Sequence, residues 1–374
     1  MNFEEHAAKP LLSEAGIATP KGIVASTVDD ATQAAQALGP AVIKAQVPAG
    51  KRGKAGGVRV VSNPEQAKAA AEDILGMEIS GHRVERVLVE EQAAIKQEFY
   101  AAVLNDPVSK SPLVLFSTLG GMDIEEAAVT QPDAVRRKPV DIRVGFDETD
   151  AQGLIQGLQL EGAEHPLTEL LVKLYQVYHK CDAELLEINP LVVTERGELV
   201  ALDCKFVLDD SAIQRQPVLA KHGTPEPMTE LERRSREVGL RYIELDGNVG
   251  VLANGAGLTM TTLDVVSYHG GAPANFLEIG GDAYVKAEPA LELVLANPRV
   301  KSVLVNFCGA VARTDVMMEG VIAAWEVLKP TVPVFFTVHG TGEDEAVQML
   351  RERLAIEPFD ALDDAVRAAV EAAT

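Results

Sequence analysis

From Val249 onward the chain repeats one unit four times: an apolar run of strand length, then glycine, then a helical pattern. Val249–Ala253 leads into Asn254-Gly255-Ala256-Gly257 and a helix over 258–268, and Ala274–Leu277 into Gly280-Gly281 and a helix over 285–296. Val303–Asn306 leads into Gly309 and a helix over 315–328, and Val332–Thr337 into Gly340, Gly342 and a helix over 343–353. Strands joined through helices must run parallel, which predicts a doubly wound α/β sheet. Such sheets take ligands at the carboxyl ends of their strands, where these glycines fall.

The first part of the chain has a different rhythm. Residues 3–15 read as an amphipathic helix interrupted by Pro10, and strands are expected over 22–25, 41–47, 58–61, 84–90, 98–104 and 112–117. Helical patterns at 29–38, 64–75, 150–160 and 166–180 lie among and after them, and strand candidates follow near 185–194 and 198–208. Residues 209–235 are polar, with prolines at 217, 225 and 227, and read as a linker running into a helix through Arg241. The expected boundaries are therefore a domain over 1–215, a linker and helix over 216–244, and a second domain over 245–374.

A chain of 374 residues suits two or three domains, and an apolar fraction of 47% supplies real cores. The formal charge of −22 argues against nonspecific nucleic-acid binding and against an acidic membrane surface. No apolar run is long enough to span a membrane, and the acidic N-terminus does not read as a secretory signal. Three scattered cysteines, with no CxxC pair, fit a reducing cytoplasm and argue against zinc.

Within Leu185–Val193 (LLEINPLVV), Glu187 and Asn189 share one face of an apolar strand. A three-residue loop, Glu195-Arg196-Gly197, would oppose Asn189 to Asp203 and Glu187 to Lys205, putting all four on that face. Amide and carboxylate oxygens so placed suit Mg²⁺, which takes one or two carboxylates plus waters and phosphates. The same spacing also suits a plain exposed hairpin face. Pro190 implies an edge strand or a break in the ladder.

Upstream, VIKAQVPAGKRGKAGG sets Lys44, Lys51, Arg52 and Lys54 within eleven residues. Glycines let backbone N–H groups approach phosphate oxygens, and the cations neutralise them. A solvated loop tip is the alternative, since the P-loop pattern GxxxxGK[ST] is absent. Taken alone, Glu90 and Glu98 read as solvated residues, Cys204 and Cys308 as small core residues, His269 as a helix end and Trp325 as packing.

These segments, with LVEEQAAIKQEFY, STLGGMDIEE, ALDCK, NGAGLTMTTLDVV, HGGAPANFLEIGG and VLVNFCGAVARTD, resemble the β subunits of the succinyl-CoA synthetase (succinate–CoA ligase) family, the malate–CoA ligase β subunit included. The resemblance implies an N-terminal ATP-grasp fold and a C-terminal flavodoxin-like CoA-ligase domain. It also implies an α-subunit partner, in a heterodimer or heterotetramer, that binds CoA and carries a phosphorylated histidine. ATP, Mg²⁺ and a small carboxylate, with succinate first and malate as the alternative, are the implied ligands. Matched by position, Lys44, Lys51, Arg52, Gly53, Glu90, Ala93 and Glu98 would contact nucleotide, and Asn189 and Asp203 would hold Mg²⁺. Glu187 would meet the partner's histidine, while Asn254 and Ala310, Val311 and Ala312 would line the carboxylate region. The chain departs from the family pattern at Lys51, where glycine is usual, at Asp282, and through Phe307–Asp315 (FCGAVARTD, usually FGGIVRCD). A stand-alone ATP-grasp carboxylate–amine ligase and a non-catalytic nucleotide-binding regulator are the competing expectations.

Overall fold

The structure, a computed structural model, describes the chain apart from residues 123, 125–128, 130, 161, 226, 227 and 281–285. Two compact units emerge, Met1–Glu226 and Pro227–Thr374.

The first unit contains a four-stranded antiparallel sheet in the order Gly22–Ala25, Val87–Glu91, Ala41–Ala45, Val58–Val61. Helices Val28–Leu38 and Pro64–Ile74 bury Ala31, Ala34, Ala35, Ala67, Ala70 and Ala71 in one core with Ile43, Val61 and Val89. Each helix has a side-chain cap: Thr27 Oγ1 accepts from Asp30 N at 3.1 Å, and Asn63 Oδ1 from Gln66 N at 2.9 Å, just before Pro64.

A second sheet runs Leu199–Ala201, Ala183–Thr194, Ile95–Asp106, Ser111–Ser117, Val135–Pro139, with Lys205–Leu208 pairing the other half of Ala183–Thr194. Val135–Pro139 escapes the periodicity argument because Arg136 and Arg137 are exposed on an edge strand. Helix Glu164–Lys180 buries Leu167, Leu170, Leu171, Leu174 and Tyr178 in a core shared with Phe99, Phe116 and Phe206. Each such side chain removed from water contributes about 1.5–3 kcal/mol.

The N-terminal helix, Glu5–Glu14, is not interrupted by Pro10 as expected. A proline there forgoes a helix hydrogen bond, and tertiary anchoring offsets the loss. The Met1 amine donates to Leu208 O (2.8 Å) and Asp210 Oδ1 (2.6 Å), and Phe3 packs edge-on against Phe206 with centroids 4.9 Å apart. The buried stripe is Glu5, Ala8, Lys9 and Leu12, the i, i+3, i+4, i+7 pattern of one helix face.

In the second unit three parallel strands lie in the order Val249–Ala253, Ser302–Gly309, Val334–Gly340. Parallel bridges Val249↔Pro273 and Ala253↔Glu278 extend the sheet on one side, and Thr337↔Phe359 on the other. In chain order this is 2-1-3-4-5, the flavodoxin-like topology. One face carries the core of Leu291, Val294, Met317, Val321 and Ile322, and the other that of Val266, Val366 and Ala369. Before the sheet, the expected helix through Arg241 stops at Glu237. Gly239 turns the chain at φ 68°, and Tyr242–Glu244 becomes a strand antiparallel to Asn275–Leu277. Upstream, Thr224 bridges to Asn2 within the first unit.

Gly340 has φ 92°, and a Cβ there would lie 2.0 Å from the Gly309 carbonyl oxygen. Gly340→Ala is expected to destabilise the second unit by at least the ~1–3 kcal/mol of backbone strain, seen as a lower thermal midpoint.

Candidate active site

The hairpin Ala183–Leu208 sets the geometry. Leu191 pairs with Ala201 and Glu187 with Lys205, the register that a three-residue loop requires. Gly197, at φ 78°, donates its N–H to Thr194 O at 2.8 Å. The expected continuous strand over 198–208 is instead split into Leu199–Ala201 and Lys205–Leu208. Leu202 and Asp203 fall in that gap: the Leu202 N–H still donates across the hairpin to Pro190 O at 3.1 Å, while the Leu202 carbonyl and the Asp203 carboxylate turn to the site.

Three cations and three carboxylates meet there. Lys44 lies on Ala41–Ala45 and Glu90 on the neighbouring Val87–Glu91, diagonal across the pair Val42↔Glu90. Lys44 Nζ is 2.9 Å from Glu5 Oε1, 2.6 Å from Glu90 Oε2 and 2.5 Å from the Leu202 carbonyl. Lys9 Nζ mirrors it, 2.7 Å from Glu5 Oε1, 2.5 Å from Glu90 Oε1 and 2.9 Å from the same carbonyl. Arg52 grips both Asp203 oxygens through Nη2 (2.7 and 2.8 Å), while Nη1 lies 2.7 Å from Glu5 Oε2 and donates to Ala45 O at 3.1 Å. Glu5 Oε2 and Glu90 Oε2 reach cations at ion-pair distance but without the angle of a hydrogen bond.

The glycine loop separates its cations. Gly57 is pressed against Ile79, Ala45 and the Arg52 carbonyl, leaving no room for a side chain, and its N–H donates to Arg52 O at 2.9 Å. Arg52 thereby points inward and is buried, whereas Lys51, Gly53 and Lys54 are exposed.

Burial would push the Glu5 carboxyl up, but Lys44, Lys9 and Arg52 outweigh it and hold Glu5 well below the carboxylate range. Burial works against charge on Lys44 and Arg52 too. Glu5 and Glu90 reverse this for Lys44, Asp203 and Glu5 for Arg52, and both cations end above their ordinary values. All three groups stay ionised at neutral pH.

Of the sequence candidates, Lys44, Arg52, Glu90 and Asp203 converge directly. Glu90 is buried, contrary to its solvated reading. Asn189 is half-buried and held by a second loop: its Oδ1 accepts from Gly121 N (2.9 Å) and its Nδ2 donates to Met122 O (3.0 Å). Gly121 also sits against Glu98, since a Cβ there would fall 2.3 Å from Glu98 Oε2. Glu187 is half-buried opposite Lys205, and Ala93 lies half-buried between Val87–Glu91 and Ile95–Asp106. Glu5 and Lys9 were missed, although their i, i+4 spacing on the apolar stripe of the first helix was a readable signal.

In the second unit Asn254 clamps the strand ends, accepting from Cys308 N (2.7 Å) and donating to Cys308 O (2.9 Å). Ala310 and Val311 are exposed beyond that end, and Ala312 is half-buried. Cys308 is exposed, which corrects its reading as a core residue; Cys204 is buried, and burial pushes its thiol well up. Trp325 packs against Phe336, and His269 follows its helix, paired with Asp363 at 2.8 Å. Asp282 lies outside the described residues.

Among the described residues no group of three or more His, Cys, Asp or Glu side chains is arranged to hold a metal ion. A single carboxylate with a nearby amide, as Asp203 and Asn189 offer, fits a cation completed by water and phosphate oxygens.

A buried cluster of three cations and three carboxylates against a split hairpin, followed by a separate flavodoxin-like sheet, marks a two-part α/β protein with a charged site in its first unit. Residues 2–193 match the ATP-grasp domain family and residues 252–370 the CoA-ligase family. The chain is 43% identical to the β subunit of ADP-forming succinate–CoA ligase of Rubrobacter xylanophilus, across 100% of this chain and 99% of that one. It is 44% identical to the β subunit of GDP-forming succinate–CoA ligase of Thermus thermophilus, across 94% of this chain and 93% of that one. The chain belongs to the succinate–CoA ligase β-subunit family, ligases that form acid–thiol bonds. Its fold is also that of ATP citrate lyase from Methanothrix soehngenii, with TM-score 0.76, 22% identity and 99% of each chain covered. No helix among the described residues is long and apolar enough to cross a membrane.

Glu5 has a lowered value in the fold, so its contribution to stability is complete above the unfolded carboxyl value of about 4.3 and is lost as pH falls through the folded value. Glu5→Gln should cost about 3–5 kcal/mol at neutral pH, the penalty of leaving one uncompensated positive charge in a buried cluster. Chemical unfolding should show the gap to wild type narrowing in acid; a gap that stays constant down to about pH 3 contradicts an ionised Glu5.

Proposed function

We propose that the chain is the nucleotide-binding subunit of a cytoplasmic ADP-forming succinate–CoA ligase, acting with an α subunit in a heterodimer or heterotetramer. The proposed nucleotide-binding domain is 1–215 and the CoA-ligase domain 245–374, joined through 216–244. The observation that carries this reading is the convergence of Lys44 and Arg52 on the hairpin that bears Asp203. Phosphoryl transfer asks a protein mainly for positioning and charge neutralisation, and Lys44 and Arg52 are the cations this reading assigns to that task.

In this reading Lys44 and Arg52 hold phosphate oxygens, with Lys51 and the Gly53 backbone at the loop's exposed rim. Glu90, Ala93 and Glu98 border the nucleotide. Asn189 and Asp203 would hold Mg²⁺, which when bound neutralises charge on the β and γ oxygens. Glu187 orients a histidine ring of the α subunit so that one nitrogen is free to attack. That nitrogen bonds to the γ-phosphorus as the bond to ADP breaks. A carboxylate oxygen of succinate then takes the phosphoryl group as the P–N bond breaks, and CoA thiolate attacks the acyl carbon and releases phosphate. Asn254 and the Ala310–Ala312 loop serve the carboxylate, and CoA is held mainly by the α subunit.

One observation favours a different acid such as malate: Phe307–Asp315 departs from the family pattern where the substrate loop lies. A carboxylate–amine ligase acting alone is disfavoured by the CoA-ligase half. CoA-dependent ADP release by the chain with its α subunit, over a panel of acids, tests the reading. Succinate is expected to give the highest kcat/KM, and turnover without any partner would overturn the heteromer. Asp203→Ala is expected to lower kcat about 100-fold or more; full activity would remove Asp203 from the metal site.

A further inference from the structure

Neither Glu5 nor Lys9 carries a role in the reaction just described, yet both reach its most buried charges. Glu5 contacts the two proposed phosphate cations with different oxygens: Oε1 lies 2.9 Å from Lys44 and Oε2 2.7 Å from Arg52. Lys9 takes up the other side of Oε1 at 2.7 Å and one oxygen of Glu90. The carboxylate of Glu5 is 1% exposed, so water cannot stand in for it. Lys9, Lys44 and Arg52 balance Glu5, Glu90 and Asp203, and the cluster has no net charge.

We infer that Glu5 is a positioning residue for nucleotide binding, a two-sided carboxylate on the first helix that fixes the separation between Lys44 and Arg52. The inference rests on those two cations being phosphate ligands. An amide cannot replace Glu5, because in either orientation its NH₂ faces a cation, Lys44 and Lys9 on one side or Arg52 on the other. One of the proposed phosphate cations then loses its contact with residue 5, leaving Lys44 only Glu90 and the Leu202 carbonyl, or Arg52 only Asp203 and the Ala45 carbonyl, and the cluster gains a positive charge. Lys9 acts differently, by cancelling negative charge from Glu5 and Glu90 beside the phosphates. The helix that carries both is tied down at the Met1 amine and at Phe3, which makes it a rigid mount.

The test is equilibrium titration of the full chain with a fluorescent ADP, with and without Mg²⁺. Glu5→Gln is expected to raise Kd about tenfold or more, equivalent to ~1.4 kcal/mol. The pair Glu5→Gln with Lys9→Met restores the charge count and remains weakened, and it carries the test if the single variant does not fold. A purely structural role would lower the number of sites filled and leave Kd unchanged. Wild-type Kd in folded Glu5→Gln, or a return to it in the pair, overturns the inference. Lys44→Ala separates the two claims: if it binds as wild type, the phosphate reading itself fails.

Discussion

Charges buried together must pair almost completely, because each unpaired ion removed from water costs several kcal/mol. The cluster of Lys9, Lys44, Arg52, Glu5, Glu90 and Asp203 meets that demand by drawing on separate parts of the first unit. The N-terminal helix supplies Glu5 and Lys9, two neighbouring strands supply Lys44 and Glu90, the glycine loop supplies Arg52, and the gap in the hairpin supplies Asp203 and the Leu202 carbonyl. Two of these sources are local irregularities. The hairpin strand splits where Leu202 and Asp203 turn to the cluster, and the glycine loop folds tightly enough at Gly57 to send Arg52 inward.

Much of the fold was legible because it rests on periodicity. The strand–glycine–helix units after Val249 dictated a parallel sheet, and the bridges at Pro273, Glu278 and Phe359 complete its flavodoxin-like order. The hairpin register followed from a three-residue loop together with the polar face it gathers, since a one-residue slip would have turned Glu187 away from Lys205. Tyr242–Glu244 and Val135–Pro139 were missed because both are short edge strands without alternation. Pro10 was over-read: propensity gave way to the tertiary anchoring of the helix around it.

At the site, the family motifs pointed to Lys44, Arg52, Glu90, Asn189 and Asp203, but not to how they are held. Glu90 read as solvated because a lone glutamate at a strand end carries no burial signal; only the arrival of Lys9 and Lys44 makes its burial affordable. Lys51 and Arg52 are adjacent in sequence and opposite in fate, one exposed and one enclosed. Nothing in their spacing distinguishes them, since the difference comes from the φ of 62° at Lys51 and the closure at Gly57.

In the proposed function this cluster presents ATP to a histidine on another subunit. The most direct measurement is transfer of radiolabel from γ-labelled ATP when the chain and its α subunit are mixed without acid or CoA. Acid-labile, base-stable label is expected on the α subunit alone, with loss of that label in Lys44→Ala. Label on this chain, or none on the α subunit with wild-type protein, would contradict it.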